Sequence, residues 1–257
     1  GIFMAKVFLD AGHGGKDPGA LGSGLMEKNI NLAVTLKVGE ILTDQGVVVA
    51  YSRTTDTFLE LSERASLANQ FEADVFVSLH CNAFGDPAAK GVETYSYINS
   101  TNGAKLAKSI QDSIISSGAY TRDRGTKTAN FAVLRLTKMA AALVEMGFIT
   151  NKDDAYILIN RQQELALAIA KGILSYLGIA YQEKTATLYR VQVGAFRIKS
   201  NADNIANELR QKGYETYMYI EDGLYKVQVG AFRIRANAEK LVEELKSQGY
   251  EAIIKVV

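Results

Sequence analysis

The chain is 257 residues long, with 47% apolar and 22% charged residues and a formal net charge of +1. This is the balance of a globular protein, and no run approaches the roughly 18 apolar residues that a membrane span needs. Near-neutral charge gives no global attraction to nucleic acid or an anionic surface, and the single cysteine, Cys81, excludes an internal disulfide framework.

Residues 6–10 read as a buried apolar strand, which LDAGHGGKDPGALG continues into a glycine-rich loop holding His13. Such strand ends are where α/β proteins place ligands. Glu27 stands just ahead of Ile30, Leu32, Ala33, Leu36, Val38 and Ile41, whose spacing predicts an amphipathic helix ending near Gly46. Residues 47–51 read as a strand, 61–71 as a helix and 75–79 as a strand closing on His80. Past a loop over 82–90, residues 92–98 have strand character and 104–116 helical periodicity, whereas 121–132 carries no element signal. Residues 142–146 form an apolar run with one carboxylate, Glu145, in its middle, and 165–177 make a closing helix. The alternation predicts an α/β fold, a mostly parallel mixed sheet flanked by helices on both faces, over residues 1–178.

A linker is expected over 179–187, and from Leu188 the sequence repeats with a period of 36 residues. LYRVQVGAFRI at 188–198 returns as LYKVQVGAFRI at 224–234, and Gly213-Tyr214-Glu215 returns as Gly249-Tyr250-Glu251. Each copy reads as strand, helix, strand, so residues 188–257 predict a small α+β domain of βαββαβ, ferredoxin-like order. Strand alternation turns Tyr189, Val191 and Val193 toward the helices and leaves Arg190, Gln192, Lys226 and Gln228 on an open, polar face.

The only two histidines, His13 and His80, both follow strand-like runs, and with Glu27 they supply a His₂Glu set suited to a hydrolytic metal ion with an open position for water. Two imidazoles and one carboxylate favour one Zn²⁺ over Mg²⁺ or Ca²⁺, while Co²⁺, Mn²⁺ and Ni²⁺ remain compatible. Spacing alone serves equally a loop histidine, a strand-end histidine and a helix-start carboxylate favoured by the macrodipole. Glu145 is costly inside an apolar strand unless it is paired, directed at a metal or at an exposed strand end. A site role would make it general base toward water and then general acid toward a leaving nitrogen. Asn82 either hydrogen-bonds substrate or holds its loop, and Cys81, on the opposite strand face from His80, reads as packing.

LDAGHGGKDPGALG, GLMEKNINLA, ADVFVSLHCNA, GVETY and ALVEMGFITN occur in the order seen in N-acetylmuramoyl-L-alanine amidases of the Amidase_3 type, which residues 4–178 resemble. The resemblance implies that His13, Glu27 and His80 hold zinc and that Glu145 is the catalytic glutamate. It implies hydrolysis of the amide between the lactyl group of N-acetylmuramic acid and the L-alanine of the peptidoglycan stem peptide. Two departures, Ala140 for the usual proline and Cys81 for the usual small residue, remove no ligand. Arg53, Arg64 and Asp56 also match family positions, and ion pairing explains them as well as substrate binding does.

The tail, through its two YxVQVGAF motifs, resembles the sporulation-related repeat (SPOR) domain, which implies binding of peptidoglycan glycan strands; on the open face Arg190, Gln192, Lys226 and Gln228 are either the glycan contacts or simply a solvated surface. RNA-recognition motifs share the βαββαβ order, but GAF lacks the preceding aromatics of their signature, so neither a nucleic-acid nor a membrane partner is expected. The alternatives are a metal-dependent peptidase of another substrate, or a non-catalytic protein that binds wall or nucleic acid. Autolysin and phage endolysin both fit, and oligomeric state has no sequence signature. No signal peptide follows Met4, which predicts release by lysis, a holin or a non-classical route, unless a leader has been trimmed.

Overall fold

The structure, a computed structural model, describes residues 4–184 and 187–257; residues 1–3, and residues 185–186 in the expected linker, lie outside the described residues. The chain divides into two compact units between Tyr181 and Gln182.

In the first unit, β1 (Lys6–Ala11) leads through β2 (Leu21–Gly22) and β3 (Leu25–Met26) into α1 (Glu27–Asp44). There follow β4 (Val48–Tyr51), α2 (Leu61–Phe71), β5 (Val75–Asn82), β6 (Val92–Ser96), α3 (Thr101–Ser116) and β7 (Asp123–Thr128). The unit closes with α4 (Ala132–Arg135), β8 (Ala140–Phe148), α5 (Lys152–Asn160) and α6 (Gln162–Leu177). Six strands pair in the order β4-β1-β5-β8-β6-β7, parallel throughout except between β6 and β8. This is the mostly parallel mixed sheet that the alternation predicts. Residues 121–132, without an element signal, contain the edge strand β7, and α5 was not expected at all.

Alternating side chains divide the sheet's burial between two layers. Leu9, Val77, Leu79, Cys81, Val144 and Met146 pack with α1, α3 and α6 in the larger core, where each large aliphatic side chain contributes about 1.5–3 kcal/mol. Phe8, Phe76 and Leu143 face the other way, covered by Ala68 of α2 and Val133 and Leu134 of α4. Those two helices are short, 11 and 4 residues, and further along the same strand faces His80 and Glu145 are only half-buried. Among the described residues no helix is long and apolar enough to cross a membrane.

The second unit runs β9 (Tyr189–Phe196), α7 (Lys199–Gln211), β10 (Tyr217–Glu221), β11 (Leu224–Phe232), α8 (Arg235–Ser247) and β12 (Ala252–Val256). Its antiparallel sheet is ordered β10-β11-β9-β12, and Val191, Val193, Val227 and Val229 pack under both helices. Gly194, at φ 79°, takes the backbone through the register shift between β9 and β11, a left-handed conformation that glycine adopts without a Cβ penalty.

One expectation for this sheet needs correction. Gln192 and Lys226 lie on the face away from the helices, but they are only 6% and 9% exposed. The flanking strands explain it: Ile253 of β12 pairs opposite Gln192, and Tyr219 of β10 pairs opposite Lys226 with its hydroxyl 3.5 Å from Gln192 Oε1. The Lys226 ammonium turns 2.8 Å to Glu221. Arg190 and Gln228 are half-buried, and Tyr217 and Tyr219 stack on the same face with ring centroids 6.1 Å apart.

Candidate metal centre

The centre is built on the loop after β1. Gly12 backs directly on the His80 ring, so that a Cβ there would overlap the imidazole. His13 follows at φ 62°, a left-handed conformation that costs a residue with a Cβ about 1–2 kcal/mol. Two buried arginines hold it. Arg64 donates from Nη1 to the Ala11 carbonyl at 2.6 Å and from Nη2 to the His13 carbonyl at 2.8 Å. Arg53 donates from Nε to the Ala11 carbonyl and from Nη2 to that of Gly12, at 2.9 and 3.0 Å. Asp56 accepts from the Gly15 amide at 2.8 Å and from Lys28 at 2.9 Å, bracing the same loop from outside.

Asp10 balances Arg64. Its carboxylate accepts from Arg64 Nη1 at 2.9 Å, Ser52 Oγ at 2.7 Å and Ser78 Oγ at 2.6 Å. Burial alone would raise its pKa, yet the guanidinium and the two hydroxyls hold it below the usual carboxylate range. Asp10→Ala strands a buried cation, so we expect a loss of about 3–5 kcal/mol in urea unfolding of the full chain, with Asp10→Asn intermediate.

Three donors converge. Glu27, first residue of α1 and 3% exposed, accepts on Oε2 from the Ala20 amide at 2.8 Å and on Oε1 from the Cys81 amide at 3.0 Å. Its Oε1 lies 3.2 Å from His13 Nε2 and 3.0 Å from His80 Nδ1. One ligand atom from each of His13, Glu27 and His80 lies within 4.8 Å of the others. The second ring nitrogen of His13 donates to Asp17 at 2.7 Å, which fixes the ring with Nε2 toward the cluster. Asp17 was not singled out from the sequence, although it stands in the quoted loop motif.

The electrostatics ask for a cation. The hydrogen bond to Glu27 pushes the His13 pKa up to about 9, and His80 is raised against the opposing effect of its burial. Burial would raise Glu27, but the two imidazoles hold it far below the carboxylate range. Without an ion, the carboxylate of this pocket favours the protonated form of both rings. The donor set and that demand fit a dication that displaces those protons.

Glu145 pairs in register with His80 on the neighbouring strand, which puts both on one face of the sheet. Its Oε2 is buried with no hydrogen-bond partner among the described residues. Burial first, then the charges of Glu27 and Glu93, pushes its pKa up to about 7. An orphaned carboxylate oxygen held near neutrality beside a cation pocket is what general acid–base work requires.

The next carboxylate outward was not anticipated. Glu93 pairs with Glu145 across β6 and β8, and it accepts from Asn82 Nδ2 at 3.0 Å, Tyr95 Oη at 2.9 Å and Arg124 Nε at 3.0 Å, with Lys127 as a further ion-pair partner. Burial works against it, but these donors bring its pKa down to about 2. The same cost argument that singles out Glu145 applies to a glutamate in the GVETY run. Asn82 is thereby tied to Glu93, and its carbonyl accepts from the Ile149 amide at 2.7 Å. Cys81 lies in the larger core, its thiol raised well above its usual value by burial.

The chain is similar to known proteins in both of its units. The family profile described as N-acetylmuramoyl-L-alanine amidase matches residues 7–175, and that of the SPOR domain matches 185–256 and also 143–217. The two SPOR matches end 39 residues apart (256 − 217), close to one 36-residue period, as expected when a twofold repeat aligns in a slipped register. The sporulation-specific N-acetylmuramoyl-L-alanine amidase of Bacillus subtilis is 40% identical over 224 residues, 85% of this chain and 86% of that protein. The endolysin of Bacillus phage SPP1 is 42% identical over 187 residues, 68% of each. Among solved structures, the catalytic domain of CwlV, an N-acetylmuramoyl-L-alanine amidase from Bacillus (Paenibacillus) polymyxa var. colistinus, superposes with a TM-score of 0.66 at 39% identity, covering 69% of this chain and all of that one.

Proposed function

Because this chain belongs to the N-acetylmuramoyl-L-alanine amidase family, we propose that it cleaves the bond between the lactyl carbonyl of N-acetylmuramic acid and the nitrogen of L-alanine in peptidoglycan, with one zinc ion. The observation that carries this reading is the convergence of His13, Glu27 and His80 beside the unpartnered carboxylate oxygen of Glu145. His13, Glu27 and His80 would hold the zinc, with Asp17 keeping the His13 ring in place. When bound, the ion supplies Lewis acidity toward the scissile carbonyl and makes a water molecule a better nucleophile.

Glu145 handles the protons. As carboxylate it takes one from the attacking water while the new C–O bond forms, and as carboxylic acid it delivers that proton to the nitrogen while the C–N bond breaks. In the metal-free pocket burial pushes the pKa of this carboxyl up to about 7, against the downward pull of the neighbouring His80. Asn82 tethers the Glu93 carboxylate rather than pointing freely at substrate, so its part is to hold the cleft wall.

The tail would bring the enzyme to the wall. Arg190 and Gln228 remain candidates for glycan contact, Gln192 and Lys226 are better placed as supports beneath Tyr219, and the Tyr217–Tyr219 stack offers an apolar surface to a sugar ring. The 224-residue match to the sporulation-specific relative extends past the first unit into this tail, which favours a sporulation amidase over an endolysin.

The test is chemical identification of the new ends. Incubated with purified peptidoglycan, the protein should release stem peptides with a free L-alanine amine and leave lactyl carboxylates on the glycan. Dialysis against a chelator should abolish the release and Zn²⁺ should restore it. New reducing sugar ends, or cuts inside the peptide, would overturn the assignment.

A further inference from the structure

We propose that Arg124 and Lys127 form a recognition site for a carboxylate of the departing stem peptide. The proposal rests on the amidase reading and adds the direction in which substrate crosses the site and the group it must carry.

The order of the sheet sets the direction. Reading across the strands from β1, the site presents His13, then His80, then Glu145 on β8, Glu93 on β6, and Arg124 and Lys127 on the outermost strand, β7. A group that protonates the leaving nitrogen must lie on the leaving group's side of the broken bond. Glu145 lies on the β6–β7 side of the three donors, so the peptide leaves toward β7. On the opposite side a cavity of about 300 Å³ opens between His13, His80 and the apolar Phe58, Leu59 and Leu61, giving the lactyl and sugar end its own space.

On the peptide side two cations share one carboxylate oxygen, Arg124 and Lys127 both pairing with the same oxygen of Glu93. The Arg124 guanidinium is braced by that contact through Nε, by Phe148 with its ring 5.0 Å away, and loosely by Nη1 at 3.5 Å from the Lys90 carbonyl. Its Nη2 has no partner among the described residues. The Lys127 side chain is 40% exposed. A planar donor edge, fixed at its base and open at its tip, is suited to accepting a carboxylate side-on, and the neighbouring ammonium adds a second charge. Glu93 is the positioning residue that holds both cations at the cleft.

The experiment compares soluble disaccharide-peptides with free carboxylates against the same material amidated by carbodiimide and ammonia. The readouts are stem-peptide release and zinc content. The wild-type protein should favour the free acids by about tenfold to a hundredfold in kcat/KM, the range of a charge-assisted hydrogen-bond pair. Arg124→Gln/Lys127→Gln should bring that ratio close to one, through KM and with zinc retained, while Arg124→Lys/Lys127→Arg should keep much of it. If the double variant fails to fold, Lys127→Gln alone should still reduce the ratio. Wild-type protein that cleaves both substrates equally, or variants that keep the wild-type ratio, would overturn the proposal and leave the amidase reading intact. Wild-type protein inert on both would defeat the two together.

Discussion

Glu145→Gln is expected to lower peptidoglycan amide hydrolysis by about a hundredfold to ten-thousandfold, the range a positioned general acid–base contributes, while the zinc stays bound. Gln keeps the shape of the side chain and removes the proton exchange, so loss of turnover without loss of metal isolates that one role. The same substitution makes a second prediction with opposite sign. Burial raises the Glu145 pKa from 4.5 to about 7, so the folded protein binds a proton that the unfolded chain releases between those values. Stability from this group is therefore full below about pH 4.5 and is lost as pH rises through about 7. At pH 8 the metal-free wild type carries an ionised carboxylate with an unpartnered oxygen, a burden of up to about 3 kcal/mol from a shift of that size. Metal-free Glu145→Gln should then be the more stable protein in urea at pH 8 and show no such advantage at pH 4. Equal hydrolysis by the variant, or equal stability at both pH values, would contradict the roles assigned.

Much of this site can be read in the sequence because its constraints are local. His13 is visible because glycines surround it, and Gly12 is required where the His80 ring comes close. Glu27 and Glu145 are visible because a carboxylate at a helix start or within an apolar strand needs an explanation. Arg53 and Arg64 could be matched to positions, but what they do is non-local: they hold carbonyls of a loop 40 or more residues away in the chain. Strand β7 stayed hidden because DRGTKT has no apolar alternation, its pairing coming from one neighbour at the sheet edge. That is why Arg124 and Lys127 were missed although Glu93 lay in a quoted motif. Helix α5 did carry a signal, since Asn151 accepts from the Asp153 and Asp154 amides as an N-cap. In the tail, alternation correctly gives the face of Gln192 and Lys226 but not their exposure, which depends on Tyr219 and Ile253 from other strands.

His80→Ala is expected to empty the metal centre and take hydrolysis to background. Structural zinc is bound with about 10–16 kcal/mol over four ligands, so removing one costs about 3 kcal/mol, a hundredfold or more in affinity. Asp17→Asn, which loosens the His13 ring and removes no ligand, should cost about tenfold to a hundredfold, so the two variants are ordered by whether a donor is lost or only misdirected. Proton release provides an independent measure. In the metal-free wild type at pH 7 the His13 ring is protonated, its pKa pushed up to about 9, and His80 is raised as well. Zinc must displace those protons, so titration in buffers of different ionisation enthalpy should report proton release that grows as pH falls from 9 toward 7. His80→Ala removes a ring whose pKa the Glu27 carboxylate raises, so any zinc it still binds should release fewer protons. Wild-type zinc affinity in His80→Ala, or proton release unchanged from the wild type, would remove His80 from the ligand set.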